Sequence, residues 1–556
     1  MNTDRPFQIG NVLVDPANGR VLSDGKEHKI EPRMMDVLVY LASRAGNVVS
    51  REVLEQEVWN GRVVSYDALT GTMRKLRKIL QDDARNPRII ETIPKKGYRL
   101  LASVIEPADS DKRLAPFNKQ MHRERHSYGL LLIVFISILA LTFTFNFNHM
   151  TKEVAQPAAE PYTIAVLPFN NLGGDAAQEY FADGMTDDLI TELAKNPDLF
   201  VIARDSTFLY KNNAVDVRQI ARELGVRFIL SGSVRQAGDR LRLNVQLINA
   251  EDGGIVWADS FNGKLKKVFS LQDKITDNIL TSLAIGMHAP ASLLGSDDRP
   301  VSIEAYDYFL HGRNRFFRYA SKQDNQKARE LYEKAIELDN DYSMAYAMLA
   351  WTYAFDAMNG WSDNRKVSLE QALVYARKAL ARNEALPVAY FVTGLVYREF
   401  GQYEQARQEA EKALVYDSNY ANAYVLLATL LYYTGHAEEG LEKIKMAMRL
   451  NPHHPYNYPF HLGQAYFILE RYDEAIAAFE QGLDSNPSSE RMHVWLAAAY
   501  VKANRPGDAK WEADQVLAIN PDFDIEKIRQ AFPFSDAKDL ERFLSAIRQA
   551  GLGGQL

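Results

Sequence analysis

Apolar and polar side chains alternate at the start of the chain: Phe7, Ile9, Val12, Leu13 and Val14, then Val21 and Leu22 beyond the turn cluster Asp15-Pro16-Ala17-Asn18-Gly19. The pattern predicts short antiparallel strands. From Glu31-Pro32 to Gly46 the period changes, and Met35, Leu38, Val39 and Ala42 recur at helical spacing behind a proline suited to a first turn. Ser50 then heads a second helix that turns Val53, Leu54, Val58 and Trp59 inward and stops at Asn60-Gly61. In a third helix, from Asp67 to Leu80, the residues Leu69, Met73, Leu76 and Leu80 form one stripe. Thr72, Arg74, Lys75 and Lys78 fall on the other faces. Residues 88–101 read as two strands around a tip at Lys95-Lys96-Gly97.

A different pattern begins after residue 126. Residues 127–148 contain no Asp, Glu, Lys or Arg and are mostly apolar, and about 20 such residues suffice to cross a bilayer as a helix. Beyond the Pro/Ala spacer at 149–161, strands and helices alternate to about residue 290. Thr163–Phe169, Leu199–Ala203 and Val226–Arg235 read as strands. Ala177–Lys195 and Val217–Leu224 read as helices. Leu241–Ile248 alternates strictly, as a half-exposed strand does, and Ile255–Phe261 follows it through the turn Asp252-Gly253-Gly254. The helix Val268–Leu283 closes this α+β region.

From 300 to 524 the chain repeats itself about every 34 residues. First helices carry Tyr346-x-x-Leu-Ala-x-x-Tyr353, Tyr390-x-x-Thr-Gly-x-x-Tyr397 and Tyr424-x-x-Leu-Ala-x-x-Leu431, and second helices carry small residues such as Ala406, Ala410 and Ala413. Six helix pairs are expected, with further amphipathic helix in 525–556 to cap the open end. Trp351, Arg398, Tyr432 and Phe467 fall where the repeat phase faces the concave side, so they are candidate contacts for a protein or peptide; the same positions also suit packing between helices.

Charge sharpens this division. Residues 1–126 hold 22 Lys/Arg against 17 Asp/Glu, a net of +5, which leaves −12 of the total −7 to the remainder. A basic N-terminal part suits a polyanion, whereas an acidic remainder does not. Lys112, Arg113, Lys119, Arg123 and Arg125 precede the apolar run, and only Lys152 follows it closely. The positive-inside rule therefore places residues 1–126 in the cytoplasm, with 107–126 as a basic linker, and the C-terminal part outside. The chain has no cysteine, which excludes disulfides and Cys-ligated zinc. Asp183, Asp187 and Asp188 read as complements to a helix dipole rather than metal ligands. His453, His454 and His461 read as loop residues around Pro452 and Pro455. No nucleophile–base pair, phosphate loop or metal motif stands out. The expectation is a non-enzyme without metal or cofactor.

Residues 7–105 resemble the OmpR/PhoB-type winged-helix DNA-binding domain. The matching features are Ser50-Arg51-Glu52-Val53-Leu54 with Val58-Trp59, Met73-Arg74-Lys75-Leu76-Arg77-Lys78, and Gly97-Tyr98-Arg99-Leu100. The resemblance implies that Thr72 and Lys75 touch base edges, Arg74, Arg77 and Lys78 hold phosphates, and Thr92, Lys95 and Lys96 approach the backbone and minor groove. The tip Pro94-Lys95-Lys96-Gly97 departs from the family's Arg-Gly-x-Gly, and lysine lacks arginine's planar fork, which leaves the tip an electrostatic role. Residues 162–290 resemble the TolB-like domain through Ile164–Phe169, Phe181–Leu189, Leu230–Val234 and Val256-Trp257-Ala258, and 300–524 resemble tetratricopeptide repeats.

The combination resembles the CadC/ToxR type of membrane-bound transcriptional regulator. It implies a winged helix at 1–106, a transmembrane helix at 127–148 in the bacterial inner membrane, and periplasmic sensing domains. The implied partners are promoter or operator DNA, bound as a homodimer, and a periplasmic protein or peptide on the repeats. The alternative reading is an envelope assembly scaffold that binds partner proteins through the repeats.

Overall fold

The computed structural model describes residues 6–105, apart from 17–18, 24–25, 31, 59–71, 74–75, 78, 83–86 and 94–96. It also describes residues 162–553, apart from 212–214, 284–298, 319–320 and 533. The expected linker, span and spacer at 107–161 lie outside the described residues. Among those described, no helix is long and apolar enough to cross a membrane.

In the first region, β1 (Phe7–Ile9), β2 (Val12–Asp15), β3 (Arg20–Ser23) and β4 (Lys26–Lys29) form an antiparallel sheet. Helix α1 (Pro32–Ser43), strand β5 (Val48–Val49) and helix α2 (Arg51–Val58) follow. Strands β6 (Ile90–Ile93) and β7 (Gly97–Leu100) make a hairpin that β5 extends, while β8 (Val104–Ile105) returns to β1. Alternation places Phe7, Ile9, Val14 and Val21 on one face. They share a core with Val37, Leu38, Leu41 and Leu54, and with Met73, Leu76 and Leu80 of the third helical segment. The Ser50 hydroxyl accepts from the Val53 amide at 3.3 Å and caps α2.

In the second region, β9 (Thr163–Val166), β10 (Asn170–Asn171), β11 (Phe200–Val201), β12 (Phe228–Ala237), β13 (Arg240–Asn249) and β14 (Ile255–Lys264) form one mixed sheet. β9 lies parallel to β11 and β12, and β12, β13 and β14 form an antiparallel meander. Helices α3 (Glu179–Ala194) and α6 (Val268–Ser282) join a core with Ile164, Val166 and Leu230. A separate cluster sets Ile220, Ala221 and Leu224 of α5 (Val217–Leu224) against Ala165 and Ile229. The short helix α4 (Arg204–Phe208) follows β11 in the chain and precedes α5.

Among the described residues six helix pairs follow: α7 (Ile303–Arg318) with α8 (Lys322–Leu338), α9 (Ser343–Met358) with α10 (Arg365–Leu380), and α11 (Pro387–Glu399) with α12 (Tyr403–Tyr416). The others are α13 (Ala421–Tyr433) with α14 (Ala437–Leu450), α15 (Asn457–Ile468) with α16 (Tyr472–Ser485), and α17 (Glu490–Lys502) with α18 (Pro506–Ile519). Small residues allow close approach of the paired helices. A Cβ on Gly440 would sit 3.0 Å from the Ala428 carbonyl oxygen, and one on Gly463 would sit 2.5 Å from the Phe479 ring. Last come α19 (Ile525–Ala531) and α20 (Ala537–Gln549). Phe534, Ser535 and α20 lie against Tyr433, Phe467 and Trp495 of the first helices of the last three repeats, contacts that the expectation of an end cap did not include.

Candidate functional site

The third helical segment is fixed from below. Met73, Leu76 and Leu80 are buried, as the stripe predicts, and Thr72 is half-buried. Arg77, expected to hold a phosphate, is engaged within the domain itself. Its guanidinium Nη2 donates to Thr92 Oγ1 at 2.7 Å and to the Ile90 carbonyl at 3.0 Å. The structure therefore brings Arg77 and Thr92 together as a tie between this helix and β6, so both are positioning groups as well as candidate DNA contacts. Arg74, Lys75, Lys78, Lys95 and Lys96 lie outside the described residues.

Two contacts of this wing, made by Asp82 and Arg99, were missed by the sequence reading, and a third feature, at Gly97, was read there only as part of the tip. The Asp82 carboxylate accepts from the backbone amides of Arg88, Ile89 and Ile90 at 2.7, 3.0 and 2.6 Å, which sets where β6 begins. Arg99 crosses the hairpin to Glu91 at 2.6 Å, in register with the strand pairing. Gly97 has φ +131°, and a Cβ there would lie 2.1 Å from the Val49 carbonyl oxygen, so no other residue fits. Only Gly97 carries a signal in the sequence, because the others depend on partners that periodicity does not reveal.

The carboxylates of α3 require correction. The helix starts at Glu179, so Asp183, Asp187 and Asp188 stand in its second and third turns, where they cannot complement the dipole. Asp183 pairs with Lys211 within the α+β domain, whereas Asp187 and Asp188 form a largely buried charge cluster that joins that domain to the repeats. Arg313 of α7, 12% exposed, reaches Asp187 at 3.3 Å, Asp188 at 3.0 Å and the Gly184 carbonyl at 2.8 Å. Burial by itself lowers the Arg313 pKa, and the Asp188 and Asp187 carboxylates outweigh it, so the net direction is up. Arg204 pairs with Asp187 at 2.7 Å and lies 3.9 Å over the Phe208 ring. Tyr306 and Gln272 also donate to Asp188. Farther along, Asn419 donates to the Ala194 and Leu199 carbonyls, the Ala203 amide donates to the Leu450 carbonyl, and Ser206 bonds Asn451.

The concave-face candidates also change. Tyr432 is 1% and Phe467 0% exposed, so neither is available to a partner in this conformation. Phe467 packs edge-on against Trp495 with ring centroids 5.3 Å apart. Tyr432 donates to Gln464 at 2.7 Å, and Gln464 donates to the Tyr433 hydroxyl at 2.7 Å. Trp351 is half-buried among Phe316, Phe317 and Phe391, while Arg398 pairs with Glu399 at 2.8 Å. The physical reason is that one helical face both lines the groove and packs on its neighbours. His453 and His454 do lie in the turn, but His461 stands on α15 and its Nδ1 lies 2.9 Å from the Tyr432 hydroxyl. Burial and the nearby Arg398 push it down to about 4. Among the described residues no group of three or more His, Asp or Glu is arranged to hold a metal.

Known proteins share these parts. Residues 25–100 match the family "Transcriptional regulatory protein, C terminal", and 160–278 match the second domain of HilA/YgeH-like transcriptional regulators. Tetratricopeptide-repeat families match 319–342, 388–420 and 466–531. The chain thus combines a winged-helix DNA-binding domain with an all-helical repeat solenoid. The transcriptional activator CadC of Escherichia coli is 37% identical over 99 residues, 18% of this chain and 19% of that one. The transcriptional regulator HilA of Salmonella typhimurium is 20% identical over 438 residues, 78% of this chain and 69% of that one. A Rhizobium meliloti protein provisionally named adenylate cyclase 3 is 36% identical over 244 residues, 44% of this chain and 41% of that one. The chain therefore spans under half the length of two of these relatives.

Proposed function

We propose that this chain is a membrane-integrated, one-component transcriptional regulator. It binds promoter or operator DNA through residues 1–106 and senses a periplasmic signal or partner through the TolB-like domain and the repeats, without phosphotransfer. The observation that carries this reading is the wing anchored to the third helix through Arg77 and Thr92, in a domain whose family is regulatory. A tied wing and helix present one rigid surface to the duplex. The cyclase name stays with its own protein. The expected DNA contacts remain Thr72, Arg74, Lys75, Arg77, Lys78, Thr92, Lys95 and Lys96.

The reading predicts that Lys75→Ala lowers discrimination between operator and random DNA by about 1–3 kcal/mol, while Lys96→Ala weakens both equally. Titration of the full chain against both duplexes at fixed salt measures this. Equal losses on the two DNAs for Lys75→Ala would demote the third helix to a phosphate clamp.

Membrane integration rests on the uncharged run at 127–148 with its one-sided basic flank. With no native cysteine, Ser110→Cys and the exposed Ser270→Cys report topology directly. In intact cells a membrane-impermeant thiol reagent should label Cys at 270 and leave Cys at 110 untouched. The reverse pattern would sink the inner-membrane orientation.

Signal transfer is read as proximity. Two copies paired outside raise the local concentration of two winged helices inside, and paired half-sites gain avidity without a new contact.

A further inference from the structure

The first helices of stacked repeats line a concave channel, a surface suited to an extended or helical ligand. In repeats four to six that channel is already filled. Phe543 of α20 stacks on Trp495 of α17 with centroids 4.1 Å apart and meets Phe467 of α15 edge-on at 5.9 Å. Phe532 meets Trp495 edge-on at 5.3 Å, and Phe534 meets Tyr433 of α13 edge-on at 5.1 Å. Phe543, Leu544, Ala546 and Ile547 are fully buried.

The polar contacts follow the same path. The Ser535 amide donates to the Tyr433 carbonyl at 2.9 Å, and Arg542 Nη2 donates to the Ile468 carbonyl at 2.9 Å. Tyr433 and Ile468 are the last residues of α13 and α15. Last-turn carbonyls have no partner within their own helix, so each repeat offers an acceptor at the same place in the channel. Glu470, just beyond α15, adds an ion pair to Arg542 at 2.8 Å. Under the channel, Gln464 holds the Tyr433 hydroxyl and with it the ring that Phe534 meets. A terminal cap would continue the stack at one end. This segment instead touches three successive first helices through aromatic anchors, a backbone amide and an arginine, as a helix bound in a groove does.

We infer that the channel of α13, α15 and α17 is a protein-binding site, held closed by the chain's own Phe532 and residues 534–552. The partner it fits is an amphipathic helical segment of another protein that presents paired aromatics followed by a Phe-Leu-x-x-Ile face and an arginine. Tethering keeps the internal segment at high effective concentration, so the resting channel excludes free competitors. A partner gains access by carrying the same chemistry on a multivalent or membrane-confined surface. The inference does not rest on the DNA-binding reading.

The test cuts the tether and leaves the fold. A protease site inserted between the exposed Pro521 and Asp522 is cleaved in the full detergent-solubilised chain. The probe is a fluorescent synthetic peptide of residues 522–553. The cut chain should keep its helical circular dichroism, exchange its segment for one labelled peptide per chain, and bind it at least 100-fold more tightly than the uncut chain does. The peptide with Phe543→Ala should lose about 100-fold in affinity. An uncut chain carrying Phe543→Asp should bind the normal peptide as the cut chain does. Loss of helix on cutting, or a folded cut chain that takes up no peptide, would make the segment an integral part of the fold and overturn the inference. Equal binding by cut and uncut chains would place the peptide elsewhere, also against it. Dimers of the uncut chain that vanish with Phe543→Asp would reassign the channel to a second copy.

Discussion

Arg313→Ala should destabilise the C-terminal region by about 3–5 kcal/mol, because it leaves Asp187 and Asp188 buried without their shared cation. The side chain also holds the Gly184 carbonyl and lies 5.3 Å over the Phe309 ring, so both a backbone acceptor and an aromatic contact are lost. Arg204 remains on Asp187 and cannot serve Asp188 as well, whose other partners are the neutral Tyr306 and Gln272. Urea unfolding of the full chain, followed by helical circular dichroism, measures the loss. Arg313→Met combined with Asp187→Asn and Asp188→Asn should recover most of it, since the buried charges then go together. A loss below about 1 kcal/mol for Arg313→Ala would mean that water replaces the guanidinium and the cluster is not dry.

The second large effect is a pair of opposed pH dependences. His461 is pushed down to about 4, below its ordinary 6.5. Its folded form therefore disfavours the proton, and its contribution is full above the ordinary value and lost as the pH falls toward 4. Asp417 is pushed by burial up to about 7, above its ordinary 3.8. Its folded form favours the proton, so its contribution is full below 3.8 and lost as the pH rises through 7. Between pH 7 and pH 5 each amounts to about 2 kcal/mol with opposite sign, so the two nearly cancel in the native chain. His461→Gln should become more stable on acidification and Asp417→Asn less stable. Urea midpoints of the three chains at pH 7 and pH 5 read the difference. Parallel shifts in both variants would show that neither group governs the acid response.

The two effects sit at different levels of legibility. Asp188 and Arg313 are 125 positions apart, and no spacing rule connects an aspartate in one amphipathic helix to an arginine in another. The local pattern for Asp183, Asp187 and Asp188 is that of charges near a helix start. That expectation failed because the expected start at Ala177 and the observed start at Glu179 both leave these aspartates beyond the first turn, and Lys211, Arg204 and Arg313 claim their carboxylates. His461 was misplaced for a similar reason. Pro455 lies in the turn after α14, but α15 starts at Asn457 and carries His461 in its second turn.

By itself the sequence determined the kind and order of the longer elements among the described residues, while the short β5, β10 and α4 left no pattern to read. Alternation, helical stripes and a 34-residue period are properties of neighbouring side chains on one backbone, and they specify strands, amphipathic helices and paired repeats wherever a core is available. It also determined which face of the third helix is buried, because Met73, Leu76 and Leu80 share one side. Only the tertiary structure decided what each face meets. Arg77 became a tie to the wing, Tyr432 and Phe467 became core, and the last helix turned into the channel rather than onto the end of the stack. The physical reason is that a periodic pattern states how much apolar surface a helix must cover and on which side. The partner that covers it is selected by shape and charge among segments far apart in the chain, where Phe543 met Trp495 and Arg313 met Asp188.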